Sequence, residues 1–288
     1  MPVNSASDIA SAWVSHFWSA DHELKWIAAE VEHSLWLTPN TLLAGRIDAL
    51  GENDNGTFFG EWKTANPREK NTWKQIWRMN PQSLTYGVLA NDWFVINQGR
   101  DCSQFTVRKA FKSTPPTFDH AWYSYSPAEL NDWKFELIRI ANEIRDYQME
   151  GLPEGHWPTN WTRCFQYGPN YACPHFEAGC SKMVWEIDPA APKREPHLEI
   201  ERRLNATEKY DYGDGLQNAV TVWTAPERNI EGLVVLDATR VKEWLGCREK
   251  FRRAYVENVA EPMTEALQLG IDFHEEMSQY YKTLCEPK

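Results

Sequence analysis

Two carboxylates and one amine lie close together in the N-terminal third of the chain. Asp48 ends the run Gly-Arg-Ile-Asp, and Glu61 and Lys63 belong to the run Gly-Glu-Trp-Lys. Side chains at positions i and i+2 of a strand share a face, so Glu61 and Lys63 should point the same way. A hairpin would bring Asp48 beside them. The spacing therefore predicts one convergent acidic and basic site.

This combination of groups suits hydrolysis of a phosphodiester. Paired carboxylates can hold Mg²⁺ or Mn²⁺, which prefer oxygen ligands, and a lysine ammonium can orient the attacking water and offset developing charge. A Glu-x-Lys pair alone is more often an ion pair on the solvated face of a sheet. Asp48 favours the catalytic interpretation, because it interrupts the apolar segment 42–47, where an unpaired carboxylate would be costly.

The periodicity of apolar residues predicts the elements that carry this site. An amphipathic stretch at about 7–27 comes first. Strands are predicted at 30–37, 42–50, 57–64, 93–97 and 105–111, with a tight turn at 51–56. Helices are predicted at 68–78, 81–91 and 127–149. Mixed strands and helices indicate an α/β fold.

The C-terminal half is less regular. Residues 150–181 are rich in Pro, Gly, aromatics and Cys, and 186–230 are polar and weakly periodic, as in a linker. Further on, Asp237 or Thr239 could cap a helix ending at Gly246, with two more helices at about 248–257 and 262–285. The predicted organisation is a core at 1–181, a linker or small insertion at 182–233, and a helical segment at 234–288 that packs on the same core.

The three runs Gly-Arg-Ile-Asp, Glu-Trp-Lys and Gln82-x-x-x-Tyr86 together resemble the RecB/AddB branch of the PD-(D/E)XK nucleases, to which the CRISPR-associated adaptation exonucleases also belong. The resemblance implies a restriction-endonuclease-like core with a central mixed β-sheet flanked by helices. It also implies that Asp48 and Glu61 bind the metal and that Lys63 assists the attacking water.

The resemblance also covers residues near Asp48, Glu61 and Lys63. It implies that the backbone carbonyl of Trp62 is a further metal ligand, and that Gln82 and Tyr86 support the site and contact DNA. Relatives also tend to carry an acid on the preceding strand, for which Glu32 is the first candidate and Glu30 the alternative.

Two motifs that open the domain in relatives come last in this chain. The segment 237–247 resembles the opening helix that ends in a cysteine, and 270–274 resembles the motif whose histidine is a metal ligand. The chain is therefore expected to be circularly permuted, with Met1 near Lys288 and His274 reaching the Asp48 site. Two alternatives stay open, a domain-swapped oligomer and a chain that begins mid-domain and ends in the next copy.

Four cysteines form a candidate cluster site. Relatives with an iron–sulfur cluster take one ligand from the opening helix, here Cys247, and three from the C-terminal end of the core. These three would be Cys164, Cys173 and Cys180. Four thiolates suit a [4Fe–4S] cluster, and Zn²⁺ is the alternative. Cys102 and Cys285 have no place in this scheme and are expected to be ordinary thiols.

Composition limits the classes of function. The formal net charge of −11 argues against a protein that coats nucleic acid through a broad basic surface, so basic residues would have to be local. Two runs could supply them, Arg68, Lys70, Lys74 and Arg78, and then Arg248, Lys250, Arg252 and Arg253. No apolar run approaches the roughly 20 residues that span a bilayer, and no leader is evident, so a reducing cytoplasmic location is expected.

The sequence thus predicts a Mg²⁺- or Mn²⁺-dependent deoxyribonuclease, by resemblance an exonuclease, acting on DNA ends or single strands. Its expected partners are DNA, a second copy of the chain, or proteins of recombination and replication, and no membrane. Two alternatives belong to other classes. One is a noncatalytic DNA-binding or assembly subunit with the same fold. The other is a carbohydrate-active hydrolase, because the chain is rich in Trp and acidic residues.

Overall fold

The computed structural model describes residues 5–149, 233–256 and 264–285. The strands in these ranges are β1 (Lys25–Thr38), β2 (Thr41–Asn53), β3 (Gly56–Ala65), β4 (Cys102–Phe111), β5 (Thr117–Ser124) and β6 (Val234–Leu236). The α-helices are α1 (Ala6–Glu23), α2 (Trp73–Trp77), α3 (Pro81–Gln98), α4 (Pro127–Met149), α5 (Ala238–Gly246), α6 (Arg248–Phe251) and α7 (Glu265–Cys285). Across these ranges, none of the helices has the length and apolarity that a membrane span requires.

The strands form one mixed sheet in the order β1-β2-β3-β4-β5. β2 and β3 pair antiparallel through a turn at Asp54 and Asn55, and β3 pairs in parallel with β4. β4 pairs antiparallel with β5, and β6 pairs in parallel with the start of β2. A central mixed sheet flanked by helices confirms the predicted α/β class.

The elements differ from the prediction in several places. The helix predicted at 68–78 is a 3₁₀ turn, Pro67–Glu69, followed by the short α2. Residues 93–97, predicted as a strand, belong to α3, which continues to Gly99 in the left-handed conformation at φ +64°. Their apolar run is short, and such runs do not distinguish strand from helix by periodicity alone. β5 and β6 were not predicted. β5 alternates partly buried and exposed residues at the edge of the sheet, and β6 has only three residues.

The chain forms two compact units, each built from distant segments. The first unit contains Met1–Leu35, Gly45–Lys134 and Met263–Lys288, and the second contains Trp36–Ala44 and Phe135–Pro262. The predicted linker at 182–233 lies outside the described residues, apart from Leu233.

Aromatic side chains form the core of the first unit. Trp62 of β3 stacks on Tyr281 of α7 with ring centroids 4.1 Å apart and planes 12° from parallel. Trp13 of α1 packs edge-on against Phe273 of α7 and donates a 3.3 Å hydrogen bond to the hydroxyl of Tyr281. The first and last described helices are thereby packed together on the middle of the sheet.

A buried charge pair fixes these elements. The guanidinium of Arg108 on β4 bonds to the carboxylate of Asp21 on α1 and donates a 2.9 Å bond to the hydroxyl of Tyr281. That hydroxyl in turn donates to Asp21 Oδ2 at 3.1 Å. All three side chains are buried, so each charge depends on the others for the bonds that water would otherwise supply.

The second unit is organised around α5. Asp237 caps this helix by accepting bonds from the backbone N–H groups of Thr239 and Arg240 at 2.7 and 2.9 Å, as predicted. Trp244 of α5 and Arg248 of α6 both donate to Glu143 Oε2 of α4, at 3.2 Å each. The unit therefore has its own polar and aromatic contacts.

Replacing Asp21 with Asn should test the buried pair. The amide cannot neutralise Arg108, so we expect the free energy of unfolding to fall by about 3–5 kcal/mol. Glu136→Gln is the control, because it breaks an exposed ion pair with Arg139 and should cost at most about 1 kcal/mol. Urea unfolding followed by tryptophan fluorescence measures both. Equal losses in the two variants would contradict a structural role for the buried pair.

Candidate metal centre

The β2–β3 hairpin places Asp48 against β3. Ala49 is the register partner of Gly60, and Asp48 Oδ2 accepts a 2.7 Å hydrogen bond from the backbone N–H of Trp62. Asp48 is buried. The predicted approach of this carboxylate to the Glu-x-Lys strand is observed. The bond involves the N–H of Trp62, and the proposed ligand role of its carbonyl stays a prediction.

Glu61 lies at the centre of the site, with only 1% of its surface exposed. Its Oε1 atom is 2.5 Å from Lys63 Nζ and accepts a 2.6 Å bond from Gln82 Nε2 of α3. Its Oε2 atom is buried and has no hydrogen-bond partner among the described residues. A buried carboxylate oxygen without a donor is costly, so this atom is suited to receive a cation.

Burial and neighbouring charges perturb both members of this pair. Burial raises the pKa of Glu61 to about 7 against the effect of Lys63, and the charge of Asp48 adds to the increase. Burial opposes the charge on Lys63, but Glu61 and Asp48 outweigh it and keep the lysine pKa above its usual value. These shifts favour a protonated Lys63 and make the charged form of Glu61 less favourable than in an exposed glutamate.

Glu30 is the acid that β1 contributes. Its side chain is 15% exposed, and burial together with the charge of Asp48 raises its pKa to about 7. Its backbone φ is +54°, a left-handed conformation uncommon for residues other than glycine and often found where function requires it. Glu30 therefore lies close enough to Asp48 for the two carboxylates to repel each other. The role of Glu32 stays a prediction.

α7 brings His274 to the same place from the far end of the chain. His274 Nδ1 lies 3.9 Å from Asp48 Oδ2. Enclosure lowers the pKa of His274 to about 4 despite Asp48, with Lys63 and Arg46 adding to the decrease. The imidazole is neutral at pH 7 and can offer a nitrogen lone pair. α7 approaches closely at Gly270, where a Cβ would lie 3.6 Å from Thr64 Oγ1.

α3 supports the site from its N-terminus. Asn80 caps the helix by accepting a 2.9 Å bond from the backbone N–H of Gln82, which orients the Gln82 side chain toward Glu61. One turn further, the ring of Tyr86 lies against Gly45 of β2, where a Cβ would be 3.1 Å from Tyr86 Cε1. Gln82 thus contacts the site directly, and Tyr86 packs against the strand that carries Asp48.

The donor atoms fit a hard divalent cation in type. Carboxylates of Asp48, Glu61 and Glu30 and the neutral imidazole of His274 are ligands that Mg²⁺ and Mn²⁺ accept. Glu61 Oε2 has no hydrogen-bond partner among the described residues, so it can still accept a bond to a cation. Among the described residues, however, no three acidic, His or Cys side chains are gathered tightly enough to form a coordination shell. A cation would have to draw these groups together.

Of the four cysteines predicted to hold the iron–sulfur cluster, only Cys247 lies among the described residues. Cys164, Cys173 and Cys180 lie outside the described residues. Cys247 follows α5 as its C-cap and is partly buried. Burial raises the pKa of Cys102 to about 12 and that of Cys285 to about 11, which disfavours the thiolate in both and agrees with ordinary thiols.

The two basic runs differ in exposure. The side chains of the first run are exposed on the segment that leads into α3, and two of them are paired, Lys74 with Asp119 at 2.7 Å and Arg78 with Glu129 at 2.6 Å. In the second run, Arg252 and Arg253 are buried. A buried guanidinium cannot meet a phosphate, so these two residues are not available to DNA in this structure. Arg248 and Lys250 are partly exposed and pair with Glu143 and Glu243, and their contact with DNA stays a prediction.

Two cations near the site were not singled out from sequence. Arg46, inside the Gly-Arg-Ile-Asp run, pairs with Glu30 at 3.1 Å. Lys109 is the β4 register partner of Lys63, and its buried ammonium lies between the rings of Trp73 and Trp77, 5.3 Å from each. Arg46 could have been predicted from sequence, because it lies within the Gly-Arg-Ile-Asp motif. The position of Lys109 could not, because it depends on the pairing of β3 with β4, which are far apart in sequence.

No family model matches this chain, and no curated protein matches it at a significant level. Among the described residues, the geometry of Asp48, Glu61, Lys63 and His274 therefore carries the functional argument.

The raised pKa of Glu30 predicts a pH-dependent stability in the metal-free protein. Its pKa is about 7 in the folded chain and 4.5 in the reference state, so the folded state holds this proton more tightly. Stability should therefore fall as pH rises through about 4.5 to about 7. Glu30→Gln cannot ionise and should be more stable than wild type at pH 8 in EDTA, with no such advantage near pH 4.

Glu52→Gln is the control of opposite sign. Hydrogen bonds from Arg100 and Lys25 lower the pKa of Glu52 to about 2, so removing this carboxylate should reduce stability at pH 8. Thermal unfolding across this pH range measures both variants. A Glu30→Gln protein no more stable than wild type at pH 8 would show that Glu30 is not held in a strained, proton-binding state.

Proposed function

We propose that this chain is a divalent-metal-dependent deoxyribonuclease with a circularly permuted PD-(D/E)XK core. The observation that carries the proposal is the buried Glu61 carboxylate, with one oxygen bonded to Lys63 and Gln82 and the other without a donor in the described chain. Such a group needs additional positive charge, and Asp48 and His274 lie at the same place. Their types match those that the nuclease resemblance implies, and the late position of His274 in the chain is the one that a circular permutation would give.

Asp48, Glu61, Glu30 and His274 would hold the cation. When bound, Mg²⁺ or Mn²⁺ would supply Lewis acidity for phosphodiester hydrolysis at neutral pH. Among the protein's own groups, His274 contributes a neutral nitrogen, since its pKa is lowered to about 4.

Lys63 is the cationic group of the proposed reaction. Its ammonium remains protonated because Glu61 and Asp48 outweigh the cost of burial, and a quarter of its side chain is exposed. It can therefore donate a hydrogen bond to an incoming phosphate oxygen or to the attacking water while it stays in contact with Glu61. Gln82 fixes the Glu61 carboxylate from the other side and limits its rotation.

DNA is the proposed substrate because the resemblance is to nucleases of DNA ends and single strands. The exposed basic segment before α3 supports this choice, since it leads directly to Gln82 at the site. Arg68 and Lys70 on that segment are exposed cations that could follow a phosphate backbone. An acidic protein with a local basic segment is better suited to bind a single DNA strand at one place than to cover duplex DNA.

The permutation is part of the proposal. It is supported by the packing of α1 and α7, in which Trp13 contacts both Phe273 and Tyr281. In this arrangement, the helix with the histidine motif lies beside the helix that would follow it in an unpermuted relative. Met1 and Lys288 themselves lie outside the described residues.

Lys63→Ala should abolish cleavage of labelled single-stranded DNA in Mg²⁺ or Mn²⁺. Removing the ammonium leaves the developing phosphate charge unmatched, and a loss of at least about a hundredfold in rate is expected. Lys25→Ala is the control, because Lys25 is an exposed lysine paired with Glu52 at 2.9 Å. That variant should cleave as wild type does.

The same assay separates the competing classes. Metal-dependent cleavage of DNA without activity on a polysaccharide panel is expected. A protein that binds DNA but does not cut it in either metal would be a noncatalytic subunit. Activity on a polysaccharide that survives Lys63→Ala would point to a carbohydrate-active hydrolase and would refute the nuclease assignment.

We also propose that Cys164, Cys173, Cys180 and Cys247 hold a [4Fe–4S] cluster, with Zn²⁺ as the alternative occupant. Cys247→Ser should remove most of the iron and sulfide from protein purified without oxygen, and most of the visible absorption. Cys285→Ser is the matched control, because Cys285 is likewise partly buried and has no place in the proposed cluster. Stoichiometric zinc without iron would favour the alternative, and equal metal content in both variants would exclude Cys247 as a ligand.

A further inference from the structure

Arg46 is the one exposed residue in the otherwise buried segment 41–51 of β2. Half of its side-chain surface is accessible, at 50%. It belongs to the Gly-Arg-Ile-Asp run, two positions before Asp48, yet the proposed chemistry assigns it no part. A long, flexible cation at the rim of an acidic site requires an explanation of its own.

The surroundings of Arg46 place it at the mouth of the site. Its Nε atom lies 3.1 Å from Glu30 Oε2, and in the described part of the chain Glu30 is its ion-pair partner. Its charge also contributes to the lowered pKa of His274. The guanidinium is therefore close to two of the four groups that would hold a cation.

Stability does not account for this ion pair. An exposed guanidinium gains little from a carboxylate, because water screens the attraction and the side chain loses freedom. Glu30 is meanwhile held in a left-handed backbone conformation that costs energy. The accessible Arg46 is thus held by Glu30, a residue with a strained backbone. Such a pair is understandable if Arg46 exchanges Glu30 for another anion during function.

We propose that Arg46 binds a phosphate of the substrate DNA strand, and that its pairing with Glu30 restrains it until a divalent cation occupies the site and neutralises Glu30. The inference rests on the proposed nuclease function and adds the group that recognises the strand. Arginine suits this role because its planar fork can donate two parallel hydrogen bonds to phosphate oxygens, which a lysine ammonium cannot match.

The restraint follows from competition for one carboxylate. Without a cation, Arg46 pairs with Glu30, and the charges of the neighbouring acids Asp48 and Glu61 would repel a phosphate. A divalent ion shared by these acids would reduce that repulsion and weaken the hold of Glu30 on the guanidinium. DNA binding should therefore be coupled to metal binding through Arg46.

The first test measures binding of a fluorescein-labelled single-stranded oligonucleotide by anisotropy, in Ca²⁺ and in EDTA. In Ca²⁺, Arg46→Ala should bind about tenfold more weakly than wild type, as expected for loss of a hydrogen-bonded charge. The slope of log affinity against log salt should become shallower by about 0.7, the contribution of one phosphate contact on a single strand. Arg46→Lys should recover only part of the affinity.

Arg100→Ala is the matched control. Arg100 is 45% exposed and pairs with Glu52 at 2.6 Å, so the variant removes the same charge from an equivalent ion pair. Its affinity and salt slope should stay close to the wild-type values. Circular dichroism and thermal melting of all variants would show whether the fold is intact.

The second test isolates the restraint. Glu30→Gln should bind the oligonucleotide several-fold more tightly than wild type in EDTA, because Arg46 is released, and should gain little further from Ca²⁺. The double variant Glu30→Gln/Arg46→Ala should lose that gain. Glu52→Gln, which releases Arg100 in the same way, should bind like wild type.

The outcomes separate this inference from the nuclease proposal. If wild type cleaves DNA but Arg46→Ala binds as Arg100→Ala does, Arg46 is not a phosphate ligand and the nuclease proposal stands. If Glu30→Gln/Arg46→Ala keeps the tighter binding, only the loss of negative charge matters and the restraint is refuted. A wild-type protein that neither binds nor cleaves the oligonucleotide overturns both.

Discussion

The burial of the Glu61 carboxylate beside the Lys63 ammonium is the constraint on which the site depends. Removing two charges from water is costly, and the pair is tolerated because Gln82 donates a further hydrogen bond to Glu61 and Asp48 adds negative charge that retains the proton on Lys63. One oxygen of Glu61 still lacks a donor in the described chain. The site is thus assembled with a deficit of positive charge, a condition suited to binding a cation.

The aromatic core keeps this arrangement in place. Trp62 lies between Glu61 and Lys63 in sequence, and its side chain stacks on Tyr281 of α7 while its backbone N–H bonds to Asp48. The same Tyr281 is bonded to the buried Arg108 and Asp21. Because His274 lies on this helix, the contacts that anchor α7 also determine how close the imidazole comes to Asp48.

For several acids and cations around the site, burial and exposure could be learned only from tertiary contacts and not from sequence patterns. Alternation along a strand could not distinguish Glu30 from Glu32, because residues i and i+2 share a face. The left-handed backbone at Glu30 is a feature of the structure that no pattern indicated. The exposure of Arg46 and the burial of Arg252 and Arg253 were equally inaccessible. Charge runs indicate where cations occur, and only packing decides which of them face solvent.

The sequence alone determined the α/β class, the β2–β3 hairpin, most helices and the grouping of Asp48 with Glu61 and Lys63. These depend on local periodicity, turn residues and short spacings, which act between near neighbours. The approach of His274 to Asp48 was predicted only through the family resemblance. Tertiary structure decided that residues 93–97 continue α3 and that β4 runs parallel to β3. These features arise from contacts between residues far apart in the chain, and no local pattern specifies them.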